Sequence, residues 1–363
     1  MSTAHELEQP PTDAISSLRF SPSGNNLILG SWDRSVSIYE RSESDSQPFT
    51  LAKRIQCRAP VLDVCFGADE SSAFCVGLDH DVRSILEEGE EREQVVLSTH
   101  GAASNKLAYS REHGILLSTS WDGTLHVHDP RSRLFIRIRL PAKPFALTLT
   151  DSRAVVAMAE RKVFVYDVHA LKMLVEQTGG TASGQDILEV QPWQERESSL
   201  KFMTRAVSAM ADGAGFAVSS IEGRVGVEFF GTEENKEKMF AFKCHRQTTT
   251  VPAEEGEASE QKVDVVYPVN ALAFHPVHPT LATGGGDGVV ALWDASTKRR
   301  IRMYPKLGAS VAAMDFSPDG KWLAIGVSTG FEDGHEDEEV DSGSVKVIVR
   351  ELGEGEAKGK GAK

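Results

Sequence analysis

Short apolar strands separated by small and polar turns recur along the whole chain. Residues 219–230, SSIEGRVGVEFF, show the pattern, because Val225, Val227 and Phe229 alternate with a glycine and a glutamate. This two-residue period is typical of a half-buried β-strand. Runs with helical periodicity are almost absent, so the pattern predicts an all-β protein.

The strands are grouped in a repeat of roughly 40 residues or more, the range of propellers and solenoids. Clear copies are FSPSGNNLILGSWDRSVSIYE from Phe20, LAYSREHGILLSTSWDGTLHVHDP from Leu107 and LAFHPVHPTLATGGGDGVVALWDA from Leu272. Each copy predicts a strand, a turn, an apolar strand ending in small residues, an Asp-containing turn and a third strand. Weaker copies bring the number to seven and begin at Val64, Leu149, Ala206 and Met314.

The repeat resembles the WD-repeat family, whose dipeptide stands here as Trp293-Asp294. The resemblance implies a seven-bladed WD40-type β-propeller in one domain, residues 1–351, because each blade can bury its faces only against its neighbours. An N-terminal strand within residues 5–10 is expected to complete the last blade, and residues 352–363 are expected to be a disordered tail. The blades are expected near residues 14–50, 60–95, 101–140, 143–175, 200–245, 268–305 and 310–351.

Composition narrows the class of protein. The chain has 363 residues, 40% of them hydrophobic and 25% charged, which is typical of a globular domain. It has no apolar run long enough to span a membrane and no secretory signal pattern. Four cysteines without a CxxC motif favour a reducing compartment, the cytosol or nucleus. The net charge of -14 argues against nonspecific binding of nucleic acid, which depends on lysine and arginine meeting phosphates.

Each candidate catalytic or metal-binding motif in the sequence lacks a feature that its chemistry requires. The glycine-rich run at residues 283–288 lacks the Lys-Ser/Thr of a phosphate-binding loop and precedes a strand. His126 and His128 lie two apart on a strand without further ligands, which favours a structural role. The acidic run at residues 331–341 lacks the order of a calcium loop. We therefore expect a binding module rather than an enzyme, without cofactor, metal or catalytic residue. A hydrolase-like propeller and a substrate receptor of a ubiquitin ligase remain as alternatives.

Four stretches, ESSLKFMTR, EGRV, FAFKCHR and YPVN, lie between residues 197 and 270. They are similar to a narrower branch of the WD-repeat family, the kinetochore proteins of the mitotic spindle checkpoint (the budding-uninhibited-by-benzimidazole group). The sister branch is the WD-repeat messenger-RNA export factor of the nuclear pore, and FHPVHPTLAT is similar to that sister, so the alternative stays open. The checkpoint resemblance implies a nuclear protein that lies at kinetochores in mitosis.

The checkpoint resemblance implies a phosphopeptide site. Arg224 of EGRV and Lys243 of FKCHR, with Arg246 nearby, would bind phosphothreonine in Met-Glu-Leu-Thr-like repeats of a kinetochore scaffold protein. The chemistry suits this role, since phosphate carries about 1.5 to 2 negative charges and arginine binds it through a planar fork. The alternative for Arg224 is a surface ion pair with Glu222 or Glu228.

The resemblance implies a second site on the same face, which would dock an extended acidic motif from a checkpoint kinase and its pseudokinase-like relative. Arg205 of KFMTR would pair with a partner glutamate, while Trp32 and Trp121, both in SWD turns, would offer apolar surface. Packing between blades is the alternative for these two tryptophans. Trp193 and Trp322 are expected in packing or in a loop.

Two segments are longer than the resemblance requires, residues 178–195 and residues 248–261. The second follows the phosphopeptide site directly, and its acidic residues would be expected to weaken phosphopeptide affinity. No membrane and no specific nucleic acid is expected among the partners.

Overall fold

The computed structural model describes residues 3–44, 46–86, 94–179, 186–231, 237–251, 261–329, 342–353 and 355–359. Within these ranges the chain forms a ring of seven antiparallel sheets, and the predicted seven-bladed WD40-type β-propeller is confirmed. Each blade has four antiparallel strands, and the sheet of blade three gains one short parallel strand at its outer edge. In blades one to six the innermost strand comes first in the sequence, whereas in blade seven the N-terminal strand of the chain is the outermost.

The strands of blades one to three follow chain order from the centre outwards. After β1 (Ala4–Glu6), blade one contains β2 (Ile15–Phe20), β3 (Asn26–Ser31), β4 (Ser35–Arg41) and β5 (Phe49–Gln56). Blade two contains β6 (Val61–Phe66), β7 (Ala73–Gly77), β8 (Asp81–Leu86) and β9 (Val95–Thr99). Blade three contains β10 (Ser104–Ser110), β11 (Ile115–Ser120), β12 (Thr124–Asp129) and β13 (Leu134–Arg139).

Blades four to seven repeat this plan with insertions. Blade four contains β14 (Pro144–Leu149), β15 (Arg153–Met158), β16 (Lys162–Asp167) and, after α1 (Val168–Thr178), β18 (Gln194–Glu197). Between α1 and β18 the short β17 (Ile187–Leu188) pairs parallel with β13 and joins the sheet of blade three. Blade five contains β19 (Thr204–Ala209), β20 (Gly215–Ser220), β21 (Arg224–Phe229) and β22 (Phe240–Lys243), followed by a ribbon of β23 (Arg246–Val251) and β24 (Gln261–Val266). Blade six contains β25 (Val269–Phe274), β26 (Thr280–Gly285), β27 (Val290–Asp294) and β28 (Arg299–Met303). Blade seven contains β29 (Val311–Phe316), β30 (Trp322–Val327) and β31 (Lys346–Glu351).

The N-terminal strand closes the ring. β1 pairs antiparallel with β31, with Ala4 opposite Arg350 and Glu6 opposite Ile348, and therefore forms the outer strand of blade seven. The amide of Leu7 continues the pairing by donating to the carbonyl of Val347 at 2.8 Å. The strand begins one residue before the segment 5–10 that the sequence suggested and ends at Glu6.

Hydrophobic side chains of the described residues form seven clusters, one between each pair of neighbouring blades. Between blades seven and one, Trp322 packs its ring against Phe49 with 6.0 Å between the centroids. Each blade thus buries its two faces only against its neighbours, which makes the closed ring the stable unit. Trp322 therefore packs in the core, whereas Trp193 is exposed and lies 4.1 Å from the Arg153 guanidinium.

Blade four departs from the expected boundaries because the helix α1 separates its third and fourth strands. Asp167 caps the helix by accepting from the amide of Ala170 at 2.9 Å, and Gly179 ends it with a positive φ of 64°. The apolar side of α1 packs into the cluster between blades three and four. The outer strand β18 consequently lies at residues 194–197, beyond the expected limit of 143–175.

The C-terminal tail also differs from expectation over residues 355–359, which pack against blades six and seven. The side chain of Glu356 is buried and accepts a hydrogen bond from the Tyr304 hydroxyl at 2.8 Å, while its carboxylate lies 2.5 Å from the guanidinium of Arg302. The Thr280 hydroxyl donates to the carbonyl of Ala357 at 2.6 Å. These contacts hold residues 355–359 against the propeller, whereas residues 354 and 360–363 lie outside the described part.

In blades three and six, hydrogen bonds around a buried histidine stabilise the turn between the second and third strands. In blade six, His245 bonds Asp287 at 2.8 Å and Thr283 at 2.9 Å, and the Trp293 indole donates to the same Thr283 hydroxyl. His245 lies between Lys243 and Arg246 in the sequence but is buried and structural.

Blade three repeats the network with His100, while His128 takes the place that Trp293 has in blade six. His126, the other histidine of the strand pair, stacks on His100 with 3.5 Å between the ring centroids. Burial is the leading reason that the pKa of His128 is lowered to about 3. Among the described residues no group of His, Cys, Asp or Glu is arranged to hold a metal ion.

Candidate functional site

All six residues proposed from the sequence lie at one face of the ring, which we call the upper face. It is the face at which the innermost strands begin and at which the second strand of each blade turns into the third. Trp32 and Trp121 lie in such turns, Arg205 lies at the start of β19, Arg224 begins β21 and Lys243 ends β22. Arg246 begins the ribbon that follows.

The turns of the upper face carry equivalent residues in all seven blades. In each, the first residue after the second strand donates its amide to the carbonyl of the residue just before the innermost strand, as Trp32 does to Ala14 at 2.9 Å. We call these seven residues the turn ring, and its members are Trp32, Leu78, Trp121, Ala159, Ile221, Gly286 and Ser328. Large apolar side chains therefore stand over blades one, two, three and five.

Every innermost strand also contains an irregularity near its start, where one or two residues are skipped by the pairing with the second strand. Such bulges re-aim side chains. The skipped residues form a bulge ring around the central channel, and one from each blade lines a cavity of about 370 Å³ at its upper mouth. These are Ser16, Leu62, Asn105, Phe145, Arg205, Asn270 and Ala312.

Arg205 is the one cation of the bulge ring, and neutral groups hold it. Its Nε donates to the Oδ1 of Asn270 at 2.9 Å, and the Asn270 amide donates in turn to the Ser310 hydroxyl at 2.9 Å. Within the described part of the chain no acidic side chain forms an ion pair with Arg205. The guanidinium is thus positioned without being neutralised, which suits it to an incoming carboxylate.

Trp32 and Trp121 line the same cavity as Arg205. Trp32 is half-buried, whereas Trp121 is 39% exposed and has the Lys143 ammonium 4.5 Å above its ring. The following aspartates fix both turns, since Asp33 and Asp122 each accept the amide of the residue two positions later at 2.8 Å. The structure thus brings the three docking residues of the sequence prediction to one cavity.

Blade five adds an apolar patch that the sequence reasoning missed. Phe202 and Met203 are about half exposed, and Ile221 of the turn ring lies beside them, its amide bonded to the Met203 carbonyl. Phe202 and Met203 directly precede β19, which contains Arg205, and Ile221 lies in the turn before Arg224. Exposed apolar side chains rimmed by charge are typical of peptide-binding surfaces.

Arg224 and Lys243 are direct cross-strand partners in β21 and β22. Residues opposite each other on one sheet face have Cβ atoms about 4.5 to 5.5 Å apart, so the two cations share a location. Arg224 also forms an ion pair, its Nε lying 3.0 Å from Glu222, and its side chain remains 39% exposed. Glu228 is instead buried and 4.0 Å from Arg196, so of the two acidic partners considered from the sequence only Glu222 pairs with Arg224.

Gly223 makes this arrangement sterically feasible. It has a positive φ of 66°, and a Cβ at this position would lie 2.6 Å from the carbonyl oxygen of Cys244. The Cys244 amide donates to the Gly223 carbonyl at 2.9 Å, which ties the turn before Arg224 to the end of β22. The glycine of EGRV therefore holds the two cationic residues together.

Arg246 has a different environment from the other two cations. Its guanidinium donates to the carbonyls of Glu222 and Gly223, both at 3.4 Å, and lies 3.8 Å from the carboxylate of Asp264 in β24. Arg246 therefore connects the turn before β21 to the ribbon of β23 and β24. The segment 248–261 was expected to be an acidic loop. Its first four residues and its last residue belong to the strands of the ribbon, and residues 252–260 lie outside the described part.

The channel below the cavity contains further charges. Asp63 is buried and accepts from the Ser17 hydroxyl and from the amides of Val64 at 3.1 Å and Leu107 at 2.9 Å. Lys106 lies one residue after the bulge of blade three and lines the cavity with Arg205. Desolvation lowers the pKa of Lys106 despite the opposing charge of Asp63.

Comparison with known proteins identifies one matching family model and several relatives that align along most of the chain. The WD domain, G-beta repeat family matches residues 2–40, 91–129, 265–294 and 303–335. The Mitotic checkpoint protein BUB3.1 of Arabidopsis thaliana is 38% identical, over 99% of this chain and 96% of its own length. The Spindle assembly checkpoint protein bub3 of Schizosaccharomyces pombe is 35% identical over 90% of this chain and 91% of its own. Protein Rae1 of Drosophila melanogaster is 30% identical over 91% and 89%.

Among the described residues, no helix has the length and apolarity to cross a bilayer.

Proposed function

The chain belongs to the Bub3 family of WD-repeat mitotic checkpoint proteins, and we propose that it is a non-enzymatic adaptor of the spindle assembly checkpoint. It acts in the nucleus and at kinetochores in mitosis, where it joins a phosphorylated scaffold protein to checkpoint kinases. The scaffold supplies phosphothreonine in Met-Glu-Leu-Thr-like repeats. The kinase and its pseudokinase-like relative supply an extended acidic motif.

The observation that carries the phosphopeptide proposal is the opposition of Arg224 and Lys243 across two strands. Like charges directly opposite each other destabilise a sheet, and Glu222 neutralises only one of the two. A phosphate with nearly two negative charges would neutralise both and accept a planar arginine contact. The adjacent patch of Phe202, Met203 and Ile221 offers apolar surface for the Met and Leu side chains of the repeat.

The acidic-motif proposal is supported by the upper cavity. Arg205 is held by Asn270 and would pair with a glutamate of the partner, while Trp32 and Trp121 would cover the partner's apolar groups. Aromatic and arginine side chains dominate the binding energy of most peptide interfaces, which matches this set.

Calorimetry with paired peptides tests the phosphopeptide function. A Met-Glu-Leu-Thr peptide should bind when its threonine is phosphorylated and bind at least about tenfold more weakly when it is not, since a charge-assisted contact contributes about 1.5 to 3 kcal/mol. Equal affinities for the two forms would contradict the proposal.

The messenger-RNA export branch is the second candidate, because Protein Rae1 also aligns along nearly the whole chain. Affinity purification from mitotic and interphase cells separates the two functions. Recovery of a checkpoint kinase from mitotic cells supports the adaptor, whereas recovery of nuclear-pore proteins with RNA retained at physiological salt would favour the export factor.

A further inference from the structure

The C-terminal tail lies in a groove between blades six and seven in the way that a short peptide ligand would. Its backbone forms two consecutive tight turns. The carbonyl of Gly353 accepts the Glu356 amide at 2.9 Å, and the carbonyl of Gly355 accepts the Lys358 amide at 3.0 Å. The turns present the Glu356 carboxylate to the side chains of the two blades. The bound tail therefore shows which chemistry this groove accepts.

Three side chains of the propeller surround the Glu356 carboxylate, and we call them the carboxylate cradle. The guanidinium of Arg302 in β28 lies 2.5 Å from it, that of Arg350 in β31 lies 3.5 Å from it, and the Tyr304 hydroxyl donates to it at 2.8 Å. The Arg350 guanidinium also lies 4.1 Å from the centre of the Tyr304 ring, which is buried between the blades. Because all three residues belong to the blades, the cradle does not depend on the tail for its backbone positions.

The positions around the glutamate are restricted to small residues. Gly355, directly before it, has a positive φ of 76°, which favours glycine. Ala357, directly after it, is buried, and its carbonyl accepts the Thr280 hydroxyl at 2.6 Å. A Cβ on Gly359 would lie 2.0 Å from a carboxylate oxygen of Asp294. The groove thus selects the pattern Gly-Glu-Ala-Xaa-Gly, in which the fourth side chain is exposed.

The tail is held mainly by polar contacts. Among residues 353 and 355–359, Ala357 is the one apolar side chain that is buried. Fixing these residues costs backbone entropy, and glycine loses more of it than any other residue. Since the tail gains little from the hydrophobic effect, a peptide that supplies the same glutamate can compete with it. Departure of the tail would leave the two guanidinium groups of the cradle without this carboxylate, which favours a replacement anion.

We propose that the groove between blades six and seven binds an acidic, turn-forming motif of a partner protein, with the pattern Gly-Glu-Ala-Xaa-Gly, and that the tail competes with this motif. The pattern follows from the two cations of the cradle and from the close approach of the backbone to Asp294. The groove opens at the lower face, at which β26 begins and β27 and β31 end. A partner could therefore bind here while the sites proposed on the upper face are filled.

The test uses the full-length protein and a fluorescent synthetic peptide with the sequence of residues 353–360, GEGEAKGK. The double variant Glu356→Gln, Gly359→Val removes the tail from the groove and keeps the cradle. It should bind the peptide at least about tenfold more tightly than the wild type does, because the wild-type tail competes. Fluorescence anisotropy measures both affinities.

A second peptide, with glutamine in place of the glutamate that corresponds to Glu356, should bind the double variant at least about tenfold more weakly, because the lost contact is charge-assisted. Adding Arg302→Met to the double variant should cause a similar loss. Arg300→Met is the matched control, since Arg300 lies in the same strand but contacts Met303 and Trp293. Thermal unfolding checks that each variant is folded, and the comparison of the two peptides needs no further change in the protein.

The outcomes distinguish the occupants of the groove. Binding that requires both the peptide glutamate and Arg302 supports the proposal. Equal affinity of the wild type and the double variant, binding by neither, or binding that survives the change to glutamine would overturn it. Dimers of the wild-type protein that dissociate when the peptide is added would assign the groove to the tail of a second copy and overturn the partner assignment. Phosphopeptide affinity should be the same in all variants, so failure here leaves the proposed function standing.

Discussion

Blades four and five place a glutamate and a cation at equivalent positions around the upper-face turn, with different electrostatic outcomes. In blade four, Lys162 begins the third strand and lies opposite Glu197, and its ammonium is 2.7 Å from Glu160. In blade five, Arg224 occupies the equivalent position with Glu222 beside it, but the residue opposite is Lys243.

The difference lies in two positions, since blade five has Lys243 in place of Glu197 on the outer strand and Gly223 in place of Arg161 in the turn. Glu197 neutralises positive charge at the turn of blade four, and its carboxylate lies 2.9 Å from the guanidinium of Arg161. The charged side chains of that turn are therefore paired with one another. Lys243 gives the turn of blade five an excess of positive charge. Equivalent strands of one fold thus form a structural ion-pair network in one blade and a candidate anion site in the next, which is why fold alone does not determine function.

The largest effect is expected from giving blade five the outer-strand charge of blade four. Lys243→Glu should reduce phosphopeptide affinity by more than about a hundredfold, because it removes a cation and places a carboxylate against the phosphate. It should also stabilise the free protein by about 0.2 to 1 kcal/mol, since opposite charges then face each other across the strands. Calorimetry and denaturant unfolding measure the two effects, and loss of stability together with loss of binding would point to misfolding instead.

Removing the arginine of the pair tests the other half of the comparison. Arg224→Gln should weaken binding of the phosphorylated peptide by about 10-fold to 100-fold while leaving the unphosphorylated peptide unchanged, because the lost contact is charge-assisted. Lys162→Gln in blade four is the control and should leave phosphopeptide affinity as it is. An equal loss in both variants would mean that the face acts through its general charge.

Glu222, the acidic residue of the turn in blade five, should weaken the binding of the phosphate. Glu222→Gln should raise phosphopeptide affinity about twofold to fivefold, since a partly exposed ion pair of this kind contributes roughly 0.2 to 1 kcal/mol. Glu160→Gln, the equivalent change in blade four, should have no effect on the affinity. A decrease in affinity after Glu222→Gln would mean that the glutamate positions Arg224 rather than competing for it.

The smallest effect is expected at Arg246. Its guanidinium is already bonded to two carbonyls and to Asp264, so Arg246→Gln should change phosphopeptide affinity by less than about threefold. Thermal unfolding should show a modest decrease in stability because two carbonyls lose a donor. A loss as large as that of Arg224→Gln would place Arg246 in direct contact with the phosphate.

Much of the fold was predictable because its signals are local and repeated. The seven copies, the alternation of apolar residues and the Asp turns specify the seven-bladed ring. The helix α1 was missed although Asp167 and Gly179 stand at its ends as a cap pair, since it interrupts a strand pattern rather than following one. The packed tail at residues 355–359 was missed because its glycine-rich composition hides one buried carboxylate, Glu356.

The candidate site was predictable in its residues but not in its arrangement. Arg205, Arg224, Lys243, Trp32 and Trp121 were named from motifs, and their function stays a prediction. Met203 and Asn270 lie within the ESSLKFMTR and YPVN stretches but were given no role there, and Lys106 and Phe145 carried no motif. Each is ordinary in its own strand and becomes notable only at a bulge or beside another blade.

By itself the sequence determined the repeat, the turn chemistry and the family, because strand period, aspartate turns and glycine positions act within a few residues. Only the tertiary structure decided which charges meet. The register of β21 and β22 sets Lys243 against Arg224, and ring closure brings the bulges of seven distant strands to one cavity. Electrostatic interaction depends on distance in space, and in a propeller that distance is set by strand register and ring closure rather than by separation along the chain.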